Sequence, residues 1–274
     1  MGAELYSMIW KASGMEVIWQ GDCNWWPDRS PLLFPAVGDW KDNQYQYKGN
    51  RYEMPLHGFA RFSPFRRLES LDNEIIYLLT ADDGTKKYYP FDFALTVVYR
   101  ITENRLEVIQ TVKNNSDQLM PFSIGEHVGI RIPLLRDEVY SDYYLEFEKK
   151  ETAGRYPLIN GRVLGDPVPC LDDTNVLELT REMFQMGAYN FKGLLSEQVT
   201  LKNHKNSYSI EMSFPGFEYF SLWSVPGADF ICLEPCNGAA ASENEGYDIL
   251  DKKGIRTLKP GCQSIFSYTI TIKE

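Results

Sequence analysis

The chain has 274 residues, 43% of them hydrophobic and 24% charged, an ordinary globular composition that can bury a large core. Its formal net charge of −10 argues against a nucleic-acid binder, whose surface carries a basic patch. No apolar run approaches the ~20 residues of a membrane helix, and Met1-Gly2-Ala3-Glu4 lacks the basic start and apolar stretch of a signal peptide, so a cytoplasmic protein is expected.

Taken in chain order, the hydrophobic pattern has period two in many segments, which marks half-buried strands. Strands are predicted at 75–80, 91–101 and 105–112, the last two joined by a hairpin at Thr102-Glu103-Asn104. Helical signals are weak, with one or two short turns predicted within 175–186. Further strands are predicted at 208–214 and 219–224. In 230–234 the apolar residues fall on both faces, so that strand is predicted to be central and covered on both sides. The stretch 238–246, rich in Ala, Ser, Asn and Glu, reads as an exposed loop. In 264–272, Phe266, Tyr268, Ile270 and Ile272 alternate with Ser267, Thr269 and Thr271, the clearest strand of all. No linker or repeat interrupts the chain, so residues 1–274 read as one all-β domain, a large sandwich or barrel.

Five cysteines, an odd number with irregular spacing, argue for buried free thiols rather than a disulfide framework. The short basic runs, Lys252-Lys253 among them, read as solvated faces. Of three histidines, His204 lies in a polar turn and reads as a surface residue. His57 sits in a loop shaped by Pro55 and Gly58, and His127 in Pro121-Phe122-Ser123-Ile124-Gly125-Glu126-His127. Glu234 lies at the end of an apolar strand, where a carboxylate is costly unless paired or titrated. Two histidines and a sheltered carboxylate suit general acid/base chemistry. Their wide separation along the chain argues against a metal site.

These phrases recur in family order over nearly the whole chain. Ile18-Trp19-Gln20-Gly21-Asp22 is followed by the phrase from Pro31 to Gly38, by His57-Gly58-Phe59-Ala60-Arg61, and by the phrase from Tyr89 to Phe93. The phrases from Pro121 to His127 and from Cys232 to Pro235 come next, and a late Lys-x-Gly precedes the final strand. The chain thus resembles the aldose 1-epimerase family, most closely its LacX-like branch. The resemblance implies a large antiparallel β-sandwich of the galactose mutarotase-like supersandwich type, with a monosaccharide in an open cleft. It implies interconversion of α and β anomers of an aldose, with no cofactor or metal. By resemblance, Glu234 is the general base at the anomeric hydroxyl, His127 the general acid at the ring oxygen, and His57 a sugar-holding residue, with Arg61 a further ligand contact. A carboxylate beside a histidine raises the histidine's pKa, so Glu⁻ and HisH⁺ are expected together near neutral pH. Edge strands that are either capped or paired leave both a monomer and a homodimer open.

The chain also departs from the pattern. Where family members carry Asp-Ala-Leu-Ile-Phe, it has Gly187-Ala188-Tyr189-Asn190-Phe191, and Gly187 cannot supply the sugar-binding carboxylate. Losing such a bond is worth roughly 1.5–3 kcal/mol. Glu126, next to His127, should face away from it by strand alternation. Cys236 stands where the family has tryptophan, and Gly38 is followed by Asp39-Trp40-Lys41 where an arginine is expected. Trp40 is a candidate to stack on a sugar face, with a core or rim position as its alternative. The retained acid/base set favours a mutarotase, and the eroded substrate set leaves a catalytically weak carbohydrate-binding module as the alternative. A sugar-phosphate enzyme using Arg61 is the third reading, weakened because no Lys/Arg cluster accompanies the motifs.

Overall fold

The computed structural model describes residues 1–159 and 161–274. Two antiparallel sheets carry most of it. The larger has nine strands in the spatial order Val168–Glu178, Tyr143–Arg155, Gln198–Asn203, Ser209–Ser213, Gln263–Lys273, Arg105–Asn114, Phe93–Thr102, Glu74–Thr80 and Arg66–Ser70. The smaller runs Tyr189–Lys192, Tyr219–Trp223, Phe230–Asn237, Ile124–Glu126 and Leu32–Leu33, with Val128–Arg131 also paired to Phe230–Asn237. This is the expected all-β sandwich.

Alternation builds the layers. In Phe93–Thr102, the side chains of Phe93, Leu95, Val97 and Tyr99 are buried while their neighbours are half-buried. Its hairpin partner is in register from Phe93↔Asn114 to Thr102↔Arg105, so Glu103 and Asn104 alone close the turn. Glu103 takes a positive φ of 54° there. The inner faces of both sheets join in one apolar cluster: Leu95, Val97 and Val108 from the larger, Phe191, Phe220, Leu222, Ile231 and Leu233 from the smaller.

Phe230–Asn237 is buried along its whole length, as a central strand must be. Ile231 and Leu233 point into the common core, whereas Phe230 and Cys232 join a separate aromatic cluster on the other face. Leu233→Ala should therefore cost about 2–5 kcal/mol, the usual range for emptying a packed leucine site. Denaturant unfolding would measure it.

The short turn predicted within 175–186 is the 3-10 turn Met183–Met186; residues 175–178 before it continue the strand Val168–Glu178, paired with Tyr143–Arg155. Three sequence expectations need correction. The stretch 238–246 is not wholly exposed: Gly238 and Ala241 are buried, and only Glu243, Asn244 and Gly246 are open to solvent. Lys252 is buried, its ammonium 3.1 Å from Glu245 and 3.2 Å from the carbonyl of Asp39. Of the five free cysteines, only Cys232 and Cys236 are buried. His204 is on the surface, stacked on Tyr144 and 3.1 Å from Glu178.

Among the described residues no helix is long and apolar enough to cross a membrane.

Candidate active site

The outward face of the smaller sheet floors a cavity of about 1020 Å³. Strand register arranges that floor in rows. Asn190 is opposite Ser221, and Ser221 is opposite Glu234. Two residues along, Lys192 is opposite Tyr219 and Tyr219 opposite Cys236. Trp223 lies across from Cys232 on the other side of the middle row. His127 falls between Ile124–Glu126 and Val128–Arg131, both paired to Phe230–Asn237. That break in pairing turns its ring beside Glu234 and completes the middle row.

His127 Nε2 is 3.2 Å from Glu234 Oε1, and both residues are almost fully covered, at 7% and 6% exposure. The contact is off-line for a hydrogen bond, and Glu234 Oε1 has no hydrogen-bond partner. A buried, unpartnered carboxylate oxygen at a cavity wall is a vacant acceptor for a ligand hydroxyl. Trp26 packs on His127 at 4.9 Å between ring centroids and Trp223 at 5.3 Å, while Phe230 stacks behind Trp26 at 5.3 Å.

This apolar surround sets the protonation. Burial raises the Glu234 carboxyl to about 8. Burial, then the nearby His57 and Arg61, hold the His127 imidazole well below its ordinary value. The sequence expectation of a resting Glu⁻/HisH⁺ pair is therefore corrected. Desolvation disfavours both charges, so below about pH 8 the free pair is neutral, with its proton on Glu234.

His57 is half-buried, with its backbone at φ 63°, which the Pro55–Gly58 turn holds in place. The Gly38 N–H donates to its Nδ1 at 3.1 Å. Burial, with Arg61 adding to it, pushes its pKa down to about 3, so the ring is neutral and Nε2–H is its donor. Its ring meets that of His127 edge-on, 5.6 Å between centroids. Arg61 also lines the cavity, ion-paired with Asp28.

Glu126 turns away from His127, as alternation requires. It is fully buried, its carboxyl accepts from Gln110, and burial raises its pKa far above the carboxylate range. Trp40 does not reach the cavity wall. It is buried against Tyr45 at 5.3 Å, with Lys252 Nζ 4.9 Å over its ring. The buried ammonium needs that aromatic face and Glu245 to offset its desolvation, so Trp40 serves the core. The tryptophans that do border the cavity, Trp26 and Trp223, were missed in the sequence, as was Asp28. The signal for Trp26 and Asp28 was the dense run Asn24-Trp25-Trp26-Pro27-Asp28 beside the family phrase ending at Asp22, whereas Trp223 ends the predicted strand 219–224.

Wide spacing in sequence does not keep potential metal ligands apart. His127, Cys232 and Glu234 bring three donor atoms within 4.8 Å of one another. Burial, with Glu234 adding to it, raises the Cys232 thiol well above its normal value, which opposes the thiolate a metal needs.

Gly187 cannot be replaced by the aspartate of the family phrase without strain. Its φ is 86°, and a Cβ there would sit 2.6 Å from the carbonyl oxygen of Leu158. Gly187→Asp is expected to cost about 1–3 kcal/mol of stability without tightening sugar binding. Thermal unfolding and a sugar titration would check both.

A family model for aldose 1-epimerase matches residues 1–257. The chain is 30% identical to the plasmid protein LacX of Lactococcus lactis subsp. lactis over 284 aligned residues, 99% of this chain and 94% of that protein. It superposes on a galactose mutarotase related enzyme from Lactobacillus acidophilus with a TM-score of 0.94 at 30% identity, covering 100% of this chain and 92% of that one. A galactose mutarotase-like protein from Lactobacillus casei gives 0.90 at 30% identity, covering 99% and 94%. The chain is a galactose mutarotase-like β-sandwich and belongs to the aldose 1-epimerase family.

Proposed function

We propose that the protein interconverts the α and β anomers of an aldose, with Glu234 as general base and His127 as general acid. The observation that carries this reading is the buried pair itself: a vacant carboxylate oxygen 3.2 Å from an imidazole nitrogen, at the wall of a cavity of sugar size or larger. A sugar hydroxyl donating to Glu234 Oε1 favours the carboxylate. The pair's single proton then passes to His127, giving the reactive Glu⁻/HisH⁺ form.

In the reaction, Glu234 takes the proton from the anomeric hydroxyl. The C1–O1 bond becomes a carbonyl as the C1–O5 bond breaks, and O5 takes the proton of His127. After rotation about C1–C2, the O5 hydroxyl attacks the other face of C1. His127 recovers the O5 proton, Glu234 returns its proton to O1, and no proton or electron is gained or lost. Neutral His57 offers Nε2–H to an oxygen of the ring, and Trp26 and Trp223 give the sugar an apolar wall. Arg61, braced by Asp28, orients the histidine end of the cavity.

One feature favours a binding-only alternative. The sugar-binding carboxylate of the family phrase is missing at Gly187. A panel of aldoses separates the two. Relaxation of pure α-glucose, α-galactose and α-xylose toward anomeric equilibrium should be far faster with protein than in buffer for at least one sugar. Saturable binding with no acceleration for any of them would replace the enzyme reading by the binding one. The sugar-phosphate reading loses its anchor at Arg61, whose guanidinium is already held by Asp28, although Lys192 and Lys253 also line the cavity.

A further inference from the structure

The middle row of the cavity floor extends beyond the acid/base pair. Asn190 and Ser221 continue it across two further strands, and both line the cavity. Adjacent strands are ~4.8 Å apart, which puts Asn190 about 10 Å from Glu234 along the row. A pyranose ring lying along the row can span that backbone interval between the two ends. Ser221 lies between the two ends, under the ring.

Both side chains keep unused capacity. Ser221 is only 8% exposed, and its hydroxyl donates to Asn190 Oδ1 at 2.8 Å, leaving its own lone pairs free. Asn190 Nδ2 donates one hydrogen to the carbonyl of Tyr156 at 3.3 Å, leaving a second hydrogen and an Oδ1 lone pair. Those two bonds fix the amide's orientation before any ligand arrives, so little side-chain freedom is lost on binding. An amide facing a cavity from between Tyr189 and Phe191, paired with a covered hydroxyl, suits a ligand with hydroxyl groups. Gly187, beside this end of the row, contributes no side chain at all.

We propose that Asn190 and Ser221 form the hydroxyl-reading end of the site. They bind the pyranose edge opposite the anomeric carbon, its 3- and 4-hydroxyls, while Glu234 and His127 hold the anomeric end. This rests on the sugar-binding reading above. It assigns the substrate class as aldopyranoses with that edge unsubstituted.

The test uses the full chain, with glucose, galactose, 3-deoxyglucose and 4-deoxyglucose. Asn190→Ile should raise KM for the best parent sugar about tenfold and leave kcat within about twofold. Its effect should vanish on the deoxy sugar that lacks the recognised hydroxyl, because that bond is already absent. Ser221→Ala, a smaller change, should show the same pattern and serves if Asn190→Ile does not fold. An equal loss on parent and deoxy sugars, or an unchanged KM, would overturn the inference. Binding isotherms in the Glu234→Gln background separate it from the catalytic reading. Asn190-dependent binding without wild-type turnover would sink only the enzyme proposal, and Glu234-dependent turnover indifferent to Asn190 and Ser221 would sink only this one.

Discussion

Glu234→Gln is expected to lower kcat for anomer exchange by about 10²- to 10⁴-fold, the usual contribution of a positioned general base, while KM changes little. The amide keeps the shape of the side chain and a ligand hydrogen bond but cannot accept the anomeric proton. A loss confined to kcat is the mark of an interaction made in the transition state. The same substitution should stabilise the fold. The folded carboxyl is raised from 4.5 to about 8, so the folded state holds a proton that the unfolded chain releases. Stability from that proton is complete below about pH 4.5 and is lost as pH rises to about 8. The variant carries no such loss, so its melting temperature should exceed the wild type's by a margin that widens from pH 4.5 to 8. Thermal scans across that range, beside kinetics at one pH, test both halves.

The pH profile of kcat/KM carries the second large effect. In the free protein the Glu234–His127 pair holds one proton below about pH 8. The reactive form differs from the resting form only in which residue carries that proton. Such a tautomer ratio does not depend on pH, so kcat/KM should be flat through neutrality. Above about 8 the pair loses its only proton, no acid remains for O5, and kcat/KM should fall about tenfold per pH unit. His57 does not add a step near neutrality, because it is held near 3. Initial rates corrected for the buffer reaction between pH 6 and 10 would show this. A rate that climbs through pH 8 would mean that Glu234 acts as a lone base without proton donation from His127.

The strands were legible because alternation is a local signal. Phe93–Thr102 and Gln263–Lys273 announce themselves in the spacing of their apolar residues, and Phe230–Asn237 in its lack of any polar face. The positions of His57, His127, Arg61 and Glu234 around one cavity were likewise anticipated, through the ordered phrases that carry them. What spacing could not reveal was anything set by pairing between distant segments. Trp40 and Trp26 are both tryptophans in loops near glycines, yet one is sealed by Lys252 and the other faces His127. That difference depends on where residues 245–252 pack. Asn190 acquires a role only once its register with Ser221 and Glu234 is known. The neutral resting state of the acid/base pair was missed for a related reason. A sequence shows that a carboxylate and an imidazole can meet, but not the burial that disfavours the charge of each, to which Trp26 and Trp223 against His127, with Phe230 behind Trp26, contribute.

Exchange spectroscopy on an aldose already at anomeric equilibrium is the sharpest test of Glu234 and His127 as an anomer-exchanging pair. Magnetisation transfer between the α and β anomeric protons of galactose and glucose would be measured with wild-type protein, with Glu234→Gln and with buffer alone. Transfer far above the buffer rate is expected for the wild type with at least one sugar, and a return to near the buffer rate for the variant. Wild-type exchange that survives Glu234→Gln undiminished would contradict this expectation.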